Sequence, residues 1–371
     1  MHVPFNDLYR QYLSLKDELD TAISETIRNS AFVRGPAVEM FEEQFSNITS
    51  SKYCVSCANG TDALYIAMKT LGVKPGDEVI VPAHSWISTS ETVTQAGASV
   101  VFCDTTIDSF TLNPDDLERK ISSKTVGIIP VHLFGHPADM TNIMRIARSN
   151  SLWVIEDCAQ AHLAEHNGQK IGTFGDIATF SFYPGKNLGA MGDAGALITN
   201  TESYALFAAK FARHGGLQKG NHEIEGINSR LDGLQAAILN VKLPHLVKWT
   251  KLRQQIALQY NSNLSSIDSI VSPTELEGNE HVWHLYVIQT ERRNELKSRL
   301  KDRGIDTVIN YPIALPFLPA YNRFGHNVKD FPIAFNHQER ILSLPIFPEI
   351  SQEEIEYVVD SIKKCVDTLG C

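Results

Sequence analysis

The feature that most constrains the fold of this chain is an alternation of short apolar runs with helical stretches over its first 250 residues. The apolar runs lie at residues 79–81, 99–102, 126–131, 152–155 and 178–182. Several of them are apolar at almost every position, a pattern typical of strands that helices cover on both faces. Between the runs, residues 61–71 place their apolar side chains on one helical face. This alternation predicts an α/β fold with a mostly parallel sheet.

The pattern changes after a helical region at residues 231–266. Residues 282–290 have the composition of a strand, and residues 291–303 have the pattern of a charged amphipathic helix. A second amphipathic helix is predicted over residues 351–368, with Ser351 as its N-cap. The C-terminal third therefore has an α+β pattern.

Length, charge and hydropathy limit the class of protein. A chain of 371 residues suggests two domains, and the change of pattern predicts a large α/β domain over residues 1–250 and a smaller α+β domain over residues 251–371. The net charge of −10 argues against binding nucleic acid through phosphate neutralisation. The sequence has no apolar run of the roughly 20 residues that cross a bilayer and no signal-peptide pattern. We therefore expect a cytoplasmic protein with no membrane partner.

Two of the six cysteines, Cys54 and Cys57, have the CxxC spacing of a redox pair or of half a zinc site. The sequence has no second pair of this kind, and both residues lie in a predicted strand at residues 53–58. Free cysteine is commonly a small buried residue. We interpret the pair as buried strand residues in a reduced protein.

Two histidines, His132 and His136, raise the question of a metal pair. A metal site of the zinc type needs three or four ligands. The sequence around these histidines contains no cluster of cysteines or carboxylates that would complete a ligand set. We predict no bound metal.

Four segments of the large domain carry residues suited to binding or catalysis. In the first, Gly60 and Thr61 open a helix, where free N–H groups and a hydroxyl can bind an anion such as phosphate. In the second, Trp86 follows a strand and could stack on a planar cofactor or pack between domains. In the third, Asp157 follows another strand, where it could pair with a protonated ring nitrogen or cap the next helix.

The fourth segment ends a strand at Ser181 and then presents Lys186 in a glycine-rich turn. It is not a Walker A loop, because Asn187 rather than Ser or Thr follows the lysine. A lysine among apolar residues at a strand end can have a lowered pKa and act as a Schiff-base nucleophile, although exposed turn lysines are commoner. A phosphate cradle, a stacking aromatic ring, an acid and this lysine are together the parts needed to hold pyridoxal phosphate.

With these residues, the chain resembles the DegT/DnrJ/StrS family of pyridoxal-phosphate sugar aminotransferases, which belong to the fold-type I aspartate aminotransferase superfamily. The resemblance covers nearly the whole chain. It is carried by residues 3–8, 59–64, 156–162, 180–186, 192–195, 228–232, 235–237 and 342–345. It implies a fold-type I architecture, in which a large α/β/α domain binds the cofactor and a smaller C-terminal domain helps to form the acceptor pocket.

The resemblance also implies roles for residues around the cofactor ring. Lys186 would form the Schiff base and then move the proton between the substrate carbon and the cofactor. Asp157 would keep the pyridine nitrogen protonated, Gln160 would hydrogen-bond the ring hydroxyl oxygen, and Trp86 would stack on the ring. His162 would lie close to the site, and we assign it no proton-transfer step.

A second group of roles concerns the cofactor phosphate. Gly60, Thr61 and Ser181 would bind it. Asn228 would reach the phosphate of the neighbouring subunit's cofactor. The last role implies a homodimer whose active sites lie at the subunit interface.

The reaction implied is a ping-pong transfer. L-Glutamate would leave as 2-oxoglutarate, and the amino group would pass to a keto or aldehyde group of a sugar for cell-surface polysaccharide or lipopolysaccharide. Many family members that act on nucleotide-linked sugars have histidines where this chain has Asn310 and Pro316. A free acidic keto-sugar of the Kdo type is therefore an alternative acceptor, with Arg213, Arg230 and Arg323 as candidate ligands.

Other activities stay open on the same fold. A dehydratase or decarboxylase would also use Lys186, whereas a relative that dehydrates sugars lacks this lysine. A non-catalytic regulatory protein is the alternative from another class.

Overall fold

The computed structural model describes residues 1–367 and contains a central sheet with helices on both faces. The strands are β1 (Tyr53–Cys57), β2 (Glu78–Pro82), β3 (Ser99–Cys103), β4 (Thr125–Ile128), β5 (Trp153–Asp157), β6 (Glu165–His166), β7 (Gln169–Lys170), β8 (Ile177–Ser181), β9 (Gly195–Thr199), β10 (Asn279–Glu280), β11 (Tyr286–Gln289) and β12 (Ile341–Leu344). The helices are α1 (Leu8–Ser14), α2 (Lys16–Arg28), α3 (Pro36–Thr49), α4 (Gly60–Thr70), α5 (Ser88–Gln95), α6 (Pro114–Lys120), α7 (Met140–Ser149), α8 (Glu202–Phe211), α9 (Gly233–Lys242), α10 (Leu246–Leu264), α11 (Arg293–Asp302), α12 (Pro332–Arg340) and α13 (Gln352–Asp367).

The central sheet has the strand order β1-β9-β8-β5-β4-β2-β3. β9 pairs antiparallel with both β1 and β8, and the remaining pairs are parallel. Six strands therefore run in one direction, so their carboxyl ends lie at one edge. The predicted α/β fold with a mostly parallel sheet is confirmed.

Alternate residues of one strand pack on opposite sides of this sheet. Val79 and Val81 belong to an apolar cluster with α4, α5 and α8, whereas Ile80 belongs to another with α7. All three side chains are fully buried. Burial on both faces explains why these strands are apolar at nearly every position.

The start of α4 agrees with its sequence signals. The Asn59 side chain accepts a hydrogen bond from the Asp62 N–H at 2.8 Å and so caps the helix. The helix ends before Gly72, whose φ of 76° is the left-handed conformation that glycine adopts readily.

The C-terminal helix agrees with its predicted N-cap as well. Ser351 Oγ accepts from the Glu354 N–H at 3.2 Å, and the Glu354 carboxylate accepts from the Ser351 N–H at 2.8 Å. The helix is observed over Gln352–Asp367, and Thr368 lies outside the described residues.

Two strand predictions are only partly right. The predicted strand at residues 282–290 is β11 alone, because the N–H groups of Val282 and Leu285 donate to the carbonyls of Gly135 and Phe134 instead of to a partner strand. The predicted run at residues 126–131 ends as β4 at Ile128. β9 was not predicted, since its first residues read as a glycine-rich turn.

The C-terminal part of the chain has its own small sheet and apolar cluster. β11 pairs antiparallel with β12. The cluster joins residues of α10, α11 and α13 to Val3 from the N-terminal segment. The predicted boundary at residue 250 falls inside α10, and the division into two domains stays a prediction. Within residues 1–367, no helix has the length and hydropathy needed to span a bilayer.

The two cysteines of the CxxC spacing lie in β1, as predicted. Cys57 is fully buried and Cys54 is half-buried, and both thiols are free. Burial raises the pKa of both thiols above the ordinary value. These properties suit strand residues better than a redox pair.

Candidate active site

The edge of the sheet where the parallel strands end opens into a cavity of about 960 Å³. Ligands of open α/β sheets bind at this edge. The cavity is lined by seven of the eight predicted site residues, namely Gly60, Thr61, Trp86, Asp157, Gln160, Ser181 and Lys186. The eighth, Asn228, is exposed and does not line it. Its contact with a neighbouring subunit stays a prediction.

Asp157 is the last residue of β5, and its carboxylate is buried at the base of the cavity. Thr89 Oγ1 donates to Oδ2 at 3.0 Å, and the Ala159 N–H donates to Oδ1 at 3.2 Å. Burial raises the pKa of this carboxyl, while the two hydrogen bonds and the charge of Lys186 act in the opposite direction. The carboxylate is thus held in one orientation by two hydrogen bonds.

Lys186 lies in the turn that follows β8, where its N–H donates to the Tyr183 carbonyl at 2.8 Å. The residue is half-buried, and its Nζ makes no hydrogen bond within residues 1–367. Burial lowers the pKa of this amine to about 8, although Asp157 opposes the shift. Much of the amine is therefore neutral near pH 8, as a nucleophile requires.

The N-terminus of α4 lies against the end of β8. A Cβ added to Gly60 would lie 2.6 Å from Ser181 Cβ, so this close approach requires glycine. The Thr61 and Ser88 hydroxyls are 2.7 Å apart beside the first turn. The N–H groups of Gly60 and Thr61 donate to no acceptor within residues 1–367. Free N–H groups and hydroxyls at a helix N-terminus form an anion site.

Gln160 lines the cavity, and both the oxygen and the nitrogen of its side-chain amide make a hydrogen bond. The Phe134 N–H donates to Oε1 at 2.6 Å, and Nε2 donates to the Tyr311 hydroxyl at 2.9 Å. The Tyr311 ring lies 5.4 Å from that of Trp86, which is 57% exposed at the cavity mouth. The amide NH₂ group therefore faces the cavity, and Trp86 has a free ring face.

His162 is fully buried against Phe180 and Phe182. Burial lowers the pKa of its imidazole to about 3, so the ring is neutral at physiological pH. Its two ring nitrogens have no hydrogen-bond partner among the described residues. A neutral ring in apolar packing agrees with our assignment of no proton-transfer step, which stays a prediction.

The histidines considered as metal ligands have structural partners. His132 Nε2 is 3.2 Å from the Glu156 carboxylate, and its Nδ1 accepts from the Ala138 N–H at 3.0 Å. Cys158 Sγ lies beside these groups. Glu156 also accepts hydrogen bonds from three backbone N–H groups at residues 172–175. Because both ring nitrogens of His132 already have hydrogen-bond partners, these contacts favour a structural hydrogen-bond network over a metal site. That the protein binds no metal stays a prediction.

Comparison with known proteins agrees with this arrangement of residues. The model of the DegT/DnrJ/EryC1/StrS aminotransferase family matches residues 14–363. The chain belongs to this family.

Three relatives illustrate how similar other members are. A pleiotropic regulatory protein of Geobacillus stearothermophilus is 42% identical, over 98% of each chain. A dTDP-3-amino-3,4,6-trideoxy-alpha-D-glucose transaminase of Streptomyces venezuelae is 40% identical, over 98% of this chain and 96% of its own. The crystal structure of DesV from S. venezuelae, in complex with a ketimine intermediate, matches with a TM-score of 0.97 and 39% identity over 99% of each chain.

This DegT/DnrJ/EryC1/StrS family member is a fold-type I aminotransferase that depends on pyridoxal phosphate. Two observations show that the residues of the cavity are suited to this cofactor. The glycine at the start of α4 leaves free N–H groups for a phosphate, and a Cβ at Gly60 would disturb that contact. Asp157 and Lys186 supply an acid and an amine in the same cavity. The resemblance, the fold and the cofactor expected from the sequence are confirmed.

The cavity of this family member also contains residues that the sequence analysis missed. Ser88 and Thr89 belong to α5, and a run of hydroxyl residues just after β2 was their signal. Arg253 and His284 also line the cavity. Arg253 is a lone arginine on the apolar face of α10, whose other buried residues include Trp249, Ile256, Ala257, Tyr260 and Leu264.

The arginines that we expected to contact an acidic acceptor do not line this cavity. Arg213 lies 3.9 Å from Glu42, and Arg323 stacks on the ring of Phe324 at 4.6 Å. Arg230 is half-buried elsewhere. Within a single chain, Arg213, Arg230 and Arg323 thus lie outside the residues that line this cavity, and their role as ligands of an acidic acceptor stays a prediction.

Proposed function

We propose that this aminotransferase moves an amino group from L-glutamate to a keto or aldehyde group of a nucleotide-linked sugar. The observation that carries the proposal is the presence of Lys186, Asp157 and an anion site at Gly60 and Thr61 in one cavity. The name of the S. venezuelae relative, which acts on a dTDP-linked sugar, supports this class of acceptor. The product would supply amino sugars for cell-surface polysaccharide or lipopolysaccharide.

The residues around the cofactor would have separate tasks. Gly60, Thr61 and Ser181 would bind its phosphate, and Asp157 would keep its ring nitrogen protonated. When bound, the cofactor supplies a ring that withdraws electrons from the substrate carbon. The Gln160 NH₂ group would donate to the ring hydroxyl oxygen, and its orientation is set by the hydrogen bond from Phe134.

Lys186 would act as nucleophile and then as base. Its amine would bind the cofactor in the resting enzyme, and the substrate amine would displace it. The released Nζ would take the proton from the substrate α-carbon and return it one step later. Its lowered pKa keeps the free amine available near neutral pH. One site and one base would serve both half-reactions, so we expect ping-pong kinetics.

We propose a homodimer with shared sites. Phe32, Val33, Met40 and Met191 are large apolar side chains that remain exposed in the single chain. The first two and Met191 lie around the start of α9, since the Gly233 N–H donates to the Phe32 carbonyl and the Met191 N–H donates to the Gln235 side chain. Exposed apolar surface of this kind commonly marks an interface.

Mixing two inactive variants tests the shared sites. Lys186→Ala and Asn228→Ala each damage both sites of a homodimer. A mixed dimer has one site with both natural residues and one site with neither. We expect mixing after mild dissociation to restore part of the activity, and a strictly additive result would contradict the role of Asn228.

The division at residue 250 also belongs to this proposal. Residues 251–371 would form a smaller domain that shapes the acceptor pocket, because Asn310 and Tyr311 from this part line the cavity. Pro316, the second departure from the family pattern, does not line it. Asn310 Oδ1 accepts from Ser343 Oγ at 2.9 Å, which leaves its NH₂ group for the acceptor. We also expect the protein to work in the cytoplasm.

The free acidic keto-sugar is not favoured as acceptor. The arginines expected to bind it do not line the cavity of the single chain, and the S. venezuelae relative is named for a nucleotide-linked sugar. A product screen decides between the two. Protein loaded with the amine form of the cofactor is incubated with nucleotide-linked keto-sugars and with free keto-acid sugars, and the aminated product is detected by mass spectrometry.

A regulatory role is the second candidate, and the name of the G. stearothermophilus relative favours it. A regulator would not need a lysine with a lowered pKa beside Asp157. Complementation of a deletion strain separates the two functions. A Lys186→Ala protein that keeps its cellular function would support the regulator and contradict the enzyme.

A further inference from the structure

One imidazole of the cavity has no part in the cofactor site described above. His284 lies just before β11, is 9% exposed and lines the cavity. A neutral imidazole donates through one ring nitrogen and accepts through the other. What His284 offers to a ligand therefore depends on which nitrogen carries the proton.

Asn187 determines which nitrogen carries the proton. The residue is buried, and its Nδ2 donates to the Val282 carbonyl at 3.0 Å. This bond leaves the amide oxygen, Oδ1, which lies 3.2 Å from His284 Nδ1. Because an amide oxygen only accepts, the hydrogen-bond network assigns the proton to Nδ1. In the neutral ring, Nε2 is then an acceptor with a free lone pair.

The ring of His284 is neutral at physiological pH. Burial, followed by the charges of Lys186 and Arg253, lowers the pKa of its imidazole well below the ordinary value. Arg253 is close to this residue, since its Nη1 donates to the His284 backbone carbonyl at 3.3 Å. A second proton on the ring would therefore place another cation beside the buried guanidinium.

The Nε2 atom of His284 is open to the cavity. It makes no hydrogen bond within residues 1–367. Among the described histidines, ring nitrogens that are fully enclosed and have no partner occur at His84 and His162 but not at His284. Nε2 is therefore accessible, and the open space beside this residue is the cavity. Its lone pair is available to a ligand.

Other polar groups that the C-terminal third contributes to the cavity offer hydrogens. The guanidinium of Arg253 only donates. Asn310 has its NH₂ group free, because its Oδ1 already accepts from a hydroxyl. The Tyr311 hydroxyl accepts from Gln160 and keeps its own hydrogen to donate. His284 Nε2 is thus an acceptor beside donors, and its ligand must carry an O–H or N–H group.

The two substrates differ in whether they carry such a group. The carboxylates of L-glutamate only accept hydrogen bonds at neutral pH, and its amino group is the group that reacts. The phosphate and the ring oxygen of the cofactor accept as well. The hydroxyls of a sugar can donate. Nε2 therefore matches the sugar acceptor and repels the carboxylates of the amino donor.

We propose that His284 recognises the acceptor sugar, with Nε2 accepting a hydrogen bond from one sugar hydroxyl, and that Asn187 is a positioning residue for this imidazole. The proposal rests on the proposed function, which makes the acceptor a sugar. Asn187 directly follows Lys186, so a single turn carries the reacting amine and orients the imidazole. A site that hydrogen-bonds a substrate hydroxyl discriminates against analogues that lack it.

The test measures binding of the sugar without any reaction. dTDP-glucose and UDP-glucose, which carry sugar hydroxyls and no keto group, are titrated into the cofactor-loaded protein by calorimetry, with dTDP and UDP as ligands that lack the sugar. His284→Asn removes Nε2 and keeps a donor for Asn187, whereas His284→Gln keeps an acceptor oxygen near the position of Nε2. His2→Asn is the matched control, because His2 is exposed and does not line the cavity.

We expect His284→Asn to raise the Kd of the sugar nucleotide about 3- to 10-fold, as the loss of one hydrogen bond gives, and to leave the Kd of the free nucleotide unchanged. His284→Gln should raise it by less, and His2→Asn should not change it. In a set of dTDP-glucose analogues that each lack one hydroxyl, one analogue should bind the natural protein and His284→Asn equally well. KM for the acceptor should rise with the Kd, while KM for L-glutamate stays within about twofold.

The role of Asn187 is tested by its effect on the tautomer. In protein labelled with ¹⁵N in the histidine rings, the signals of His284, identified by their absence from the His284 variants, should show a protonated Nδ1 and an unprotonated Nε2. Asn187→Leu keeps the volume of the side chain and removes the amide, so the proton should distribute over both nitrogens. The Kd of the sugar nucleotide should then rise by less than in His284→Asn. A natural tautomer in Asn187→Leu would contradict the positioning role.

Several results would overturn the role of His284. One is a folded His284→Asn protein, with unchanged Tm, that binds the sugar nucleotide as tightly as the natural protein. Another is a loss of affinity that is equal for the free nucleotide or that falls on L-glutamate. A natural protein that binds neither sugar nucleotide more tightly than the free nucleotide would overturn it as well. If His284→Asn lowers the Tm, the ¹⁵N signal of Nε2 in the natural protein decides, because it should shift with dTDP-glucose and not with dTDP, and no shift contradicts the proposal.

Failure of the proposed function gives a different result. In that case the natural protein itself produces no 2-oxoglutarate from L-glutamate. The titrations need no reaction and would still report whether His284 contacts a sugar hydroxyl.

Discussion

On the sheet side of the cavity, the lining residues are the last residues of parallel strands or lie in the turn or helix that follows such a strand. Other lining residues come from positions far apart in the C-terminal third. We call the first group, Gly60, Thr61, Asp157, Ser181 and Lys186, the sheet wall. We call the second group, Arg253, His284, Leu285, Asn310, Tyr311 and Ile346, the C-terminal wall. The sheet wall offers an acid, an amine and an anion site, whereas the C-terminal wall offers one arginine amid neutral groups.

This difference suggests separate roles for the two walls, cofactor binding for one and substrate binding for the other. Groups that hold a cofactor are fixed by strand ends, which are the most rigid part of an α/β fold. The C-terminal wall, which we propose to contact substrates, comes from a helix face and loops that can vary without disturbing the sheet. Changes in the sheet wall should therefore abolish the reaction, whereas changes in the C-terminal wall should alter affinity for one substrate.

The largest effect is expected for Lys186→Ala. Without the amine, no group remains to bind the cofactor covalently or to move the substrate proton, so the rate should fall by at least about 10³-fold. Steady-state assays and the absorbance of the lysine-bound cofactor measure the two losses. Lys219→Ala, an exposed lysine, is the control. More than 1% residual activity in Lys186→Ala would contradict the expectation that changes in the sheet wall abolish the reaction.

The next effect is expected for Gly60→Ala. The new Cβ would lie 2.6 Å from Ser181 Cβ, so the start of α4 must move away from β8. We expect cofactor affinity to fall about 10- to 100-fold, because the phosphate loses aligned N–H groups. Equilibrium dialysis of the cofactor measures the change. Natural affinity in a variant with unchanged Tm would show that the phosphate binds elsewhere.

The pH dependence of the Lys186 amine should differ from that of a surface lysine. Its pKa of about 8 lies below the ordinary value of 10.5, so deprotonation occurs as the pH rises through 8. The rate at which the cofactor-free protein reacts with pyridoxal should rise about tenfold between pH 7 and pH 9 and then level off. A rate that still rises nearly tenfold from pH 8 to pH 9, as an ordinary lysine would give, contradicts the lowered pKa.

A smaller effect is expected for Thr89→Val, which keeps the shape of the side chain and removes its hydroxyl. Asp157 Oδ2 loses the hydrogen bond that Thr89 donates at 3.0 Å. The pKa of the carboxyl should rise, and the rate should fall roughly 10-fold. The pH profile of the cofactor absorbance is the readout, with Thr89→Ser as the variant that should restore it. An unchanged profile would mean that the Thr89 hydroxyl does not affect the protonation of Asp157 and that the side chain contributes only packing.

The smallest effect is expected in the C-terminal wall, for Tyr311→Phe. The Gln160 NH₂ group loses its acceptor at 2.9 Å and keeps the bond that orients it. A neutral hydrogen bond contributes about 1 kcal/mol, so KM for the acceptor should change a few-fold and cofactor affinity should stay constant. An effect on cofactor affinity as large as that of Gly60→Ala would contradict the division between the walls.

The sheet wall could be predicted from the sequence because its signals are local. Asp157 follows an apolar run by a fixed distance, and Gly60 and Thr61 open a helix whose N-cap is adjacent. The parallel sheet then brings these strand ends together. The same reasoning misses β9, because Gly192 before the strand and Gly195 at its start have the pattern of a turn, and only the pairing with β1 and β8 identifies a strand.

The C-terminal wall could not be predicted in the same way. Arg253 and Tyr311 are 58 positions apart in the sequence, and no strand end places them. The arginines chosen from the sequence had no local signal that separated them from surface arginines. Arg253 did have a local signal, because it lies on the apolar face of a helix. Burying a cation there is costly unless a partner compensates its charge.

The central claim is that Lys186, Asp157 and the anion site perform transamination. A single-turnover experiment with cofactor-loaded protein and L-glutamate, without acceptor, tests it most directly. We predict that the absorbance of the lysine-bound cofactor disappears, that the amine form replaces it, and that one 2-oxoglutarate forms per active site. An unchanged spectrum with no 2-oxoglutarate, in protein that holds a full complement of cofactor, would contradict the claim.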